Sequence, residues 1–180
     1  MAELKKFQFE REKFIELMLY FSKRGLDEGL VIGSTKLNKL LFFADFRSYA
    51  RLGSPLTGAR YQKLEWGPAP RALLPIREEL VEQGLVRFSD DEDWSQVLEP
   101  QREPDLSLFT SDELFIIDEV FEELRPLNAV AASDYSHEAS PGWNAANELE
   151  DIPYETARVG TVRPPEHVFG FFRSLHGIAA

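Results

Sequence analysis

The sequence predicts an α+β fold, a mainly helical single domain over residues 1–180 with a small antiparallel β-sheet and a winged-helix-like middle. Three observations lead there. Apolar residues recur at helical spacing in two early segments: Phe14, Leu17, Met18 and Phe21, then Leu37, Leu40, Leu41 and Ala44. Residues 85–89 and 94–98 are short strand-like runs joined by Asp90, Asp91, Glu92 and Asp93, the pattern of a hairpin. And 180 residues, 43% hydrophobic and 28% charged, suit one domain with a proper core.

The first helix is expected from near Glu10 to Lys23, with Gly25 as its stop. Residues 29–33 form a short apolar connector. Ser34 or Thr35 is a candidate N-cap for the second helix. Phe42, Phe43 and Phe46 widen its stripe, so it should be central to the core. Asn38 and Asp45 lie close together around it, at the stripe's margin. Gly53 and Pro55 end it. An extended piece over residues 59–66 follows, closed by a sharp turn at Gly67-Pro68-Ala69-Pro70. The third helix runs to Gln83 with Gly84 as its cap, and Pro75 requires that it start near Ala72 or kink. Arg77 falls within its apolar arc. It either pairs with Asp45 or packs its stem and sends the guanidinium to water.

The sheet is expected from residues 59–66, 85–89 and 94–99. Thr110 to Glu113 is a capping box for a helix that carries Leu114, Ile117, Val120, Phe121 and Leu124 and stops at Pro126. A small-residue helix spans 128–137, Ser140-Pro141-Gly142-Trp143 makes a turn, and a last helix covers about 165–175.

Composition narrows the function. There is no Cys, which excludes disulfides, thiolate metal sites and Cys nucleophiles. The three histidines show no metal-ligand spacing, and neither a metal nor a cofactor is expected. Ser34-Thr35-Lys36 lacks the glycine spacing of a phosphate loop, no nucleophile elbow exists, and no catalytic residue is assigned. No apolar run approaches a leader or a membrane span, so a cytoplasmic protein is expected, with no membrane partner.

The net charge is -11, unevenly spread. Residues 1–60 carry 11 Lys/Arg against 7 Asp/Glu, whereas residues 61–120 carry 5 against 15. A helix before residues 85–98 resembles the second half of a winged helix. Yet that helix offers Arg71 and Arg77 against Glu78, Glu79 and Glu82, and its wing tip would be the acidic run 90–93. Like charge would face phosphate, so DNA binding is not expected, although a winged-helix transcriptional regulator is the alternative reading. Surface contacts favour aromatic and Arg anchors. The candidate partner-binding patch is Tyr61, Lys63, Trp66 and Arg71 around the Gly67-Pro68 turn, with Trp94 beside it.

The run Ser34-Thr35-Lys36-Leu37-Asn38-Lys39-Leu40-Leu41-Phe42-Phe43-Ala44-Asp45 is similar to the opening motif of the Panacea antitoxin domain family, the SocA-like and GepA-type phage-associated proteins. Gly53-Ser54-Pro55-Leu56-Thr57, Tyr61, Gly67 and Pro68 match the family's later pieces in order and spacing. Ser136-His137, Trp143 and Ile152 resemble its last piece, so the likeness covers about residues 10–155. Phe42 and Ala69 depart from it, standing where Tyr and Val are common. On this resemblance Lys36, Leu37, Lys39, Leu40, Asp45, Gly67, Pro68 and Trp143 are motif residues. The resemblance implies an antitoxin that neutralises a protein toxin by direct binding, and in one subgroup delivery of that toxin to an AAA+ protease. It implies no enzyme chemistry.

Overall fold

A computed structural model describes residues 7–89 and 96–161. The expected helix at 165–175, the acidic run and Trp94 lie outside the described residues.

Helix α1 spans Arg11–Asp27 and buries Phe14, Leu17, Met18 and Phe21 as its spacing predicts. Gly25 is not its stop. It lies buried inside the last turns, where a Cβ would overlap the side chain of Ile32, so glycine lets the connector pack back on the helix. The chain leaves the helix at Gly29, whose φ of 68° is the left-handed conformation glycine adopts without strain.

Helix α2, Ser34–Leu52, is the centre of the molecule. Its N-cap is Gly33 and no side chain caps it, because the Ser34 hydroxyl instead accepts a hydrogen bond from Arg77 Nη1 at 3.0 Å. Gly53 ends it in the left-handed conformation, as expected. The helix packs on α1, on residues 67–70, on the helices over 111–124 and 129–139, and on the closing segment over 154–161. The Phe42 and Phe46 rings are tilted against each other with centroids 4.1 Å apart, and Phe46 meets the rings of Tyr61 and Tyr154.

Strands β1 (Tyr61–Leu64) and β2 (Gly67–Pro70) form an antiparallel hairpin with Leu64 opposite Gly67. The Gly-Pro-Ala-Pro run is therefore a strand, and the turn is Glu65-Trp66. Density of Gly and Pro signalled a turn, but the prolines sit on a strand that gives no further sheet hydrogen bonds. The outer edge of β1 is bridged by residues 149–152: Leu149 N–H donates to Lys63 O at 2.9 Å and Ile152 N–H to Tyr61 O at 2.8 Å.

Helix α3, Leu73–Glu82, places Pro75 in its first turn, where a missing N–H costs nothing. Strands β3 (Val86–Phe88) and β4 (Leu98–Pro100) form a second, separate hairpin. The single sheet expected from three segments is thus two hairpins. Arg77 does not reach Asp45 either. Its guanidinium is held by Ser34 and lies 4.9 Å from the Phe88 ring centroid, inside the protein rather than in water.

Helix α4, Ser111–Leu124, has the capping box in full: Thr110 accepts from Glu113 N–H and Glu113 from Thr110 N–H. Asn128 caps α5, Ala129–Ala139, whose small residues let it approach α2 closely. The expected turn at 140–143 opens a short helix instead, α6, Pro141–Ala145, with Pro at its first position and Ser140 as cap. The described chain closes on a 3₁₀ segment, Tyr154–Thr161, against α2.

Candidate partner-binding site

An apolar helix that buries two lysines and an aspartate must give each of them a partner. Lys36 extends to the end of α4 and donates to Arg125 O at 3.0 Å. Lys39, 1% exposed, donates to Pro68 O on β2 at 3.1 Å. Asp45 is fully buried. One of its oxygens accepts from Thr57 N–H at 2.6 Å, and the other from the hydroxyls of Thr57, Tyr61 (2.7 Å) and Tyr154 (3.4 Å). The motif residues therefore tie three separate backbone segments to one helix. Leu37 and Leu40, between them in sequence, are core.

These surroundings shift the acid–base behaviour. Burial pushes the Asp45 carboxyl up, against the pull of its four hydrogen bonds. Burial, reinforced by the Asp45 carboxylate, raises the Tyr61 and Tyr154 hydroxyls far out of the physiological range. Burial alone lowers Lys39 to about 7. An ammonium depressed in the folded state opposes folding while it is charged. Its stability contribution is present above the unfolded lysine range and is lost as pH falls through about 7. Stability should thus rise from pH 7 to 9 by up to about 1.4 kcal/mol per unit, before tyrosines titrate. Urea unfolding across that window should show the slope, and Lys39→Met should flatten it. An equal slope in both proteins would refute the assignment.

The hairpin tip is braced from one side. The Trp143 indole donates to Leu64 O at 3.1 Å, and the His137 ring stacks on it at 4.0 Å. Lys63 donates to Ala146 O at 3.0 Å and lies 4.4 Å from the Trp143 ring centroid. The Ser133 hydroxyl donates to Trp66 O at 2.8 Å. Burial, then the positive charges of Lys39 and Lys63, lowers His137, so it stacks as a neutral ring at neutral pH. Gly67, φ 99°, lets Ser136 and the Lys39 ammonium come up to the backbone.

Of the five residues expected to contact a partner, these facts separate three kinds. Tyr61 is buried and belongs to the Asp45 network, which removes it from the surface. Lys63 and Arg71 are at the surface but tied down. Arg71 bonds Asp151 at 2.7 Å and Leu149 O at 2.6 Å, and Arg60 shares the same Asp151. Trp66 alone among the described four stands open, 63% exposed, on a backbone its neighbours fix. Sequence reasoning missed Ser133, Leu149 and Asp151. Ser133 and Asp151 carry no local signal, because their partners lie about 70 to 90 residues away. Among the described residues no group of three or more metal-ligating side chains converges, and no helix is long and apolar enough to cross a membrane.

The fold is a mainly helical α+β domain whose most distinctive polar residues brace an aromatic-tipped hairpin. The chain belongs to the antitoxin SocA-like, Panacea domain family, whose pattern matches residues 37–144, from the start of α2 through α6. No curated protein and no solved structure matches it.

Proposed function

We propose that this protein is the antitoxin of a toxin–antitoxin pair, acts in the cytoplasm, and neutralises a protein toxin by burying part of its surface directly. The family match over residues 37–144 carries this reading. The buried lysines and aspartate agree with it, since each is engaged in holding a backbone segment to α2. No catalytic step is needed.

The test is co-expression with the open reading frame next to this gene. That frame alone should arrest growth, and this chain should restore growth and co-purify with its product as a stable complex. Toxin levels should be unchanged in the rescued cells. A toxin that disappears in them, but persists in cells lacking an AAA+ protease, would replace blocking by delivery to that protease. Two species that never co-purify, with no rescue, would end the antitoxin reading.

A further inference from the structure

Two large apolar side chains stand open on the β1 edge, and each is held there against an opposing cost. Trp66 tops the hairpin turn with 63% exposure. Exposure of an indole is unfavourable, and nothing in the turn requires one, since the turn is fixed through main-chain groups: Trp66 O, Leu64 O and Pro68 O. Leu149 is 59% exposed at a φ of 62°, the one described non-glycine residue with positive φ. A branched side chain there costs on the order of 1–2 kcal/mol that glycine would avoid. Its backbone is pinned by N–H to Lys63 O at 2.9 Å and by Arg71 to its own carbonyl at 2.6 Å. Lys63 is the residue before Leu64, which begins the turn that carries Trp66, so both side chains crown the same end of the hairpin.

The charges around them face one way. Glu65, Asp134, Glu138 and Glu148 are exposed and form no ion pair with any described residue. Asp134 follows Ser133, which touches Trp66, while Glu65 and Glu148 adjoin Trp66 and Leu149 themselves. The nearby cations are already engaged at the surface: Lys63 donates to Ala146 O, and Arg60 and Arg71 share Asp151. On the middle of α4, by contrast, Asp118, Glu119 and Glu122 are all matched by arginines of α1 and α2.

We infer that the toxin docks on this hairpin tip, with Trp66 and Leu149 as its two apolar anchors, and that it presents a basic protein surface to the acidic rim. The inference rests on the antitoxin reading and adds where the contact lies and what charge it meets. Aromatic anchors inside a polar rim carry most of the energy in such contacts, and rim charge sets the rate of encounter and its dependence on salt.

The experiment measures the affinity of the purified chain for the adjacent frame's product by calorimetry at 50 and 300 mM salt. Trp66→Ala should weaken it by about 30-fold or more, and Leu149→Gly by about 10-fold. Leu149→Gly should leave the urea midpoint unchanged or raised, because strain is relieved; a merely structural Leu149 would lower it. Glu65→Lys with Glu148→Lys should weaken binding further and flatten the salt dependence. Phe115→Ala, which removes an equally open aromatic (68% exposed) on α4, should change nothing. Wild-type binding that Trp66→Ala and Leu149→Gly leave within threefold, or that Phe115→Ala abolishes, overturns the docking site alone. Wild-type affinity that does not fall with salt overturns the basic partner. Absence of any wild-type binding or rescue overturns the antitoxin reading, and the docking site with it.

Discussion

Asp45→Ala is expected to lower stability by about 3–4 kcal/mol. Removal of the carboxylate strips the acceptor from Thr57 N–H and from the Thr57 hydroxyl, both buried. Each orphaned buried group costs about 1–3 kcal/mol. The two tyrosines suffer less, because Tyr61 keeps Leu41 O at 2.9 Å and Tyr154 keeps Ala59 O at 2.6 Å. Asp45→Asn retains the volume and one acceptor, so its loss should be about half as large. Chemical unfolding with an unchanged m value would measure both. The pH dependence gives an independent check. Because burial raises the folded carboxyl, its contribution is fully present below the ordinary aspartate range and declines as pH rises through the raised value. Asparagine should remove that decline. An alanine variant within 1 kcal/mol of wild type would mean that the network does not hold the 53–61 segment.

Gly67→Ala follows at about 2–4 kcal/mol. Two costs combine. The φ of 99° lies where L residues are strained. A Cβ would also overlap Ser136 Oγ and come within 2.8 Å of Lys39 Cε and Nζ. Neither neighbour can yield, since both are buried and each is already bonded, Ser136 to Ser133 O and Lys39 to Pro68 O. Gly84→Ala separates the two costs. Gly84 has a φ of 71° but nothing within 4 Å of the added carbon, so it should lose only about 1 kcal/mol. Equal losses at the two glycines would show that backbone conformation alone matters and that the close approach of α5 does not.

The helices were legible because each carries its own periodic stripe and its own end signals. The α4 capping box and the α2 stripe need only neighbours in sequence, and both stand as read. What failed did so where a long-range contact outweighed a local cue. Gly25 resembles a helix stop, but Ile32 packs against it. Ser34 has the chemistry of an N-cap, but Arg77 takes its hydroxyl. The Gly-Pro-Ala-Pro run resembles a turn, but β1 and Lys39 hold it extended. The candidate site divides in the same way. An exposed Trp beside Gly-Pro can be suspected from composition. That Tyr61 faces inward depends on Asp45, 16 residues earlier, and the conformation of Leu149 depends on Lys63 and Arg71, which no local pattern records.

The bracing of the hairpin by α2, α5 and Trp143 has a consequence for recognition. A free loop must give up conformational freedom when it is captured, and that loss is subtracted from affinity. Here the tip is ordered before any partner arrives, because loosening it would strand the Lys39 ammonium and the Ser133 hydroxyl away from their acceptors. The same bracing ties its opening to disruption of the α2 core, leaving the tip without a low-energy route to local unfolding. Association can then proceed as the meeting of rigid bodies, with tight binding from few contacts, and discrimination between partners falls to the shape and charge of the residues around the tip rather than to its adaptability.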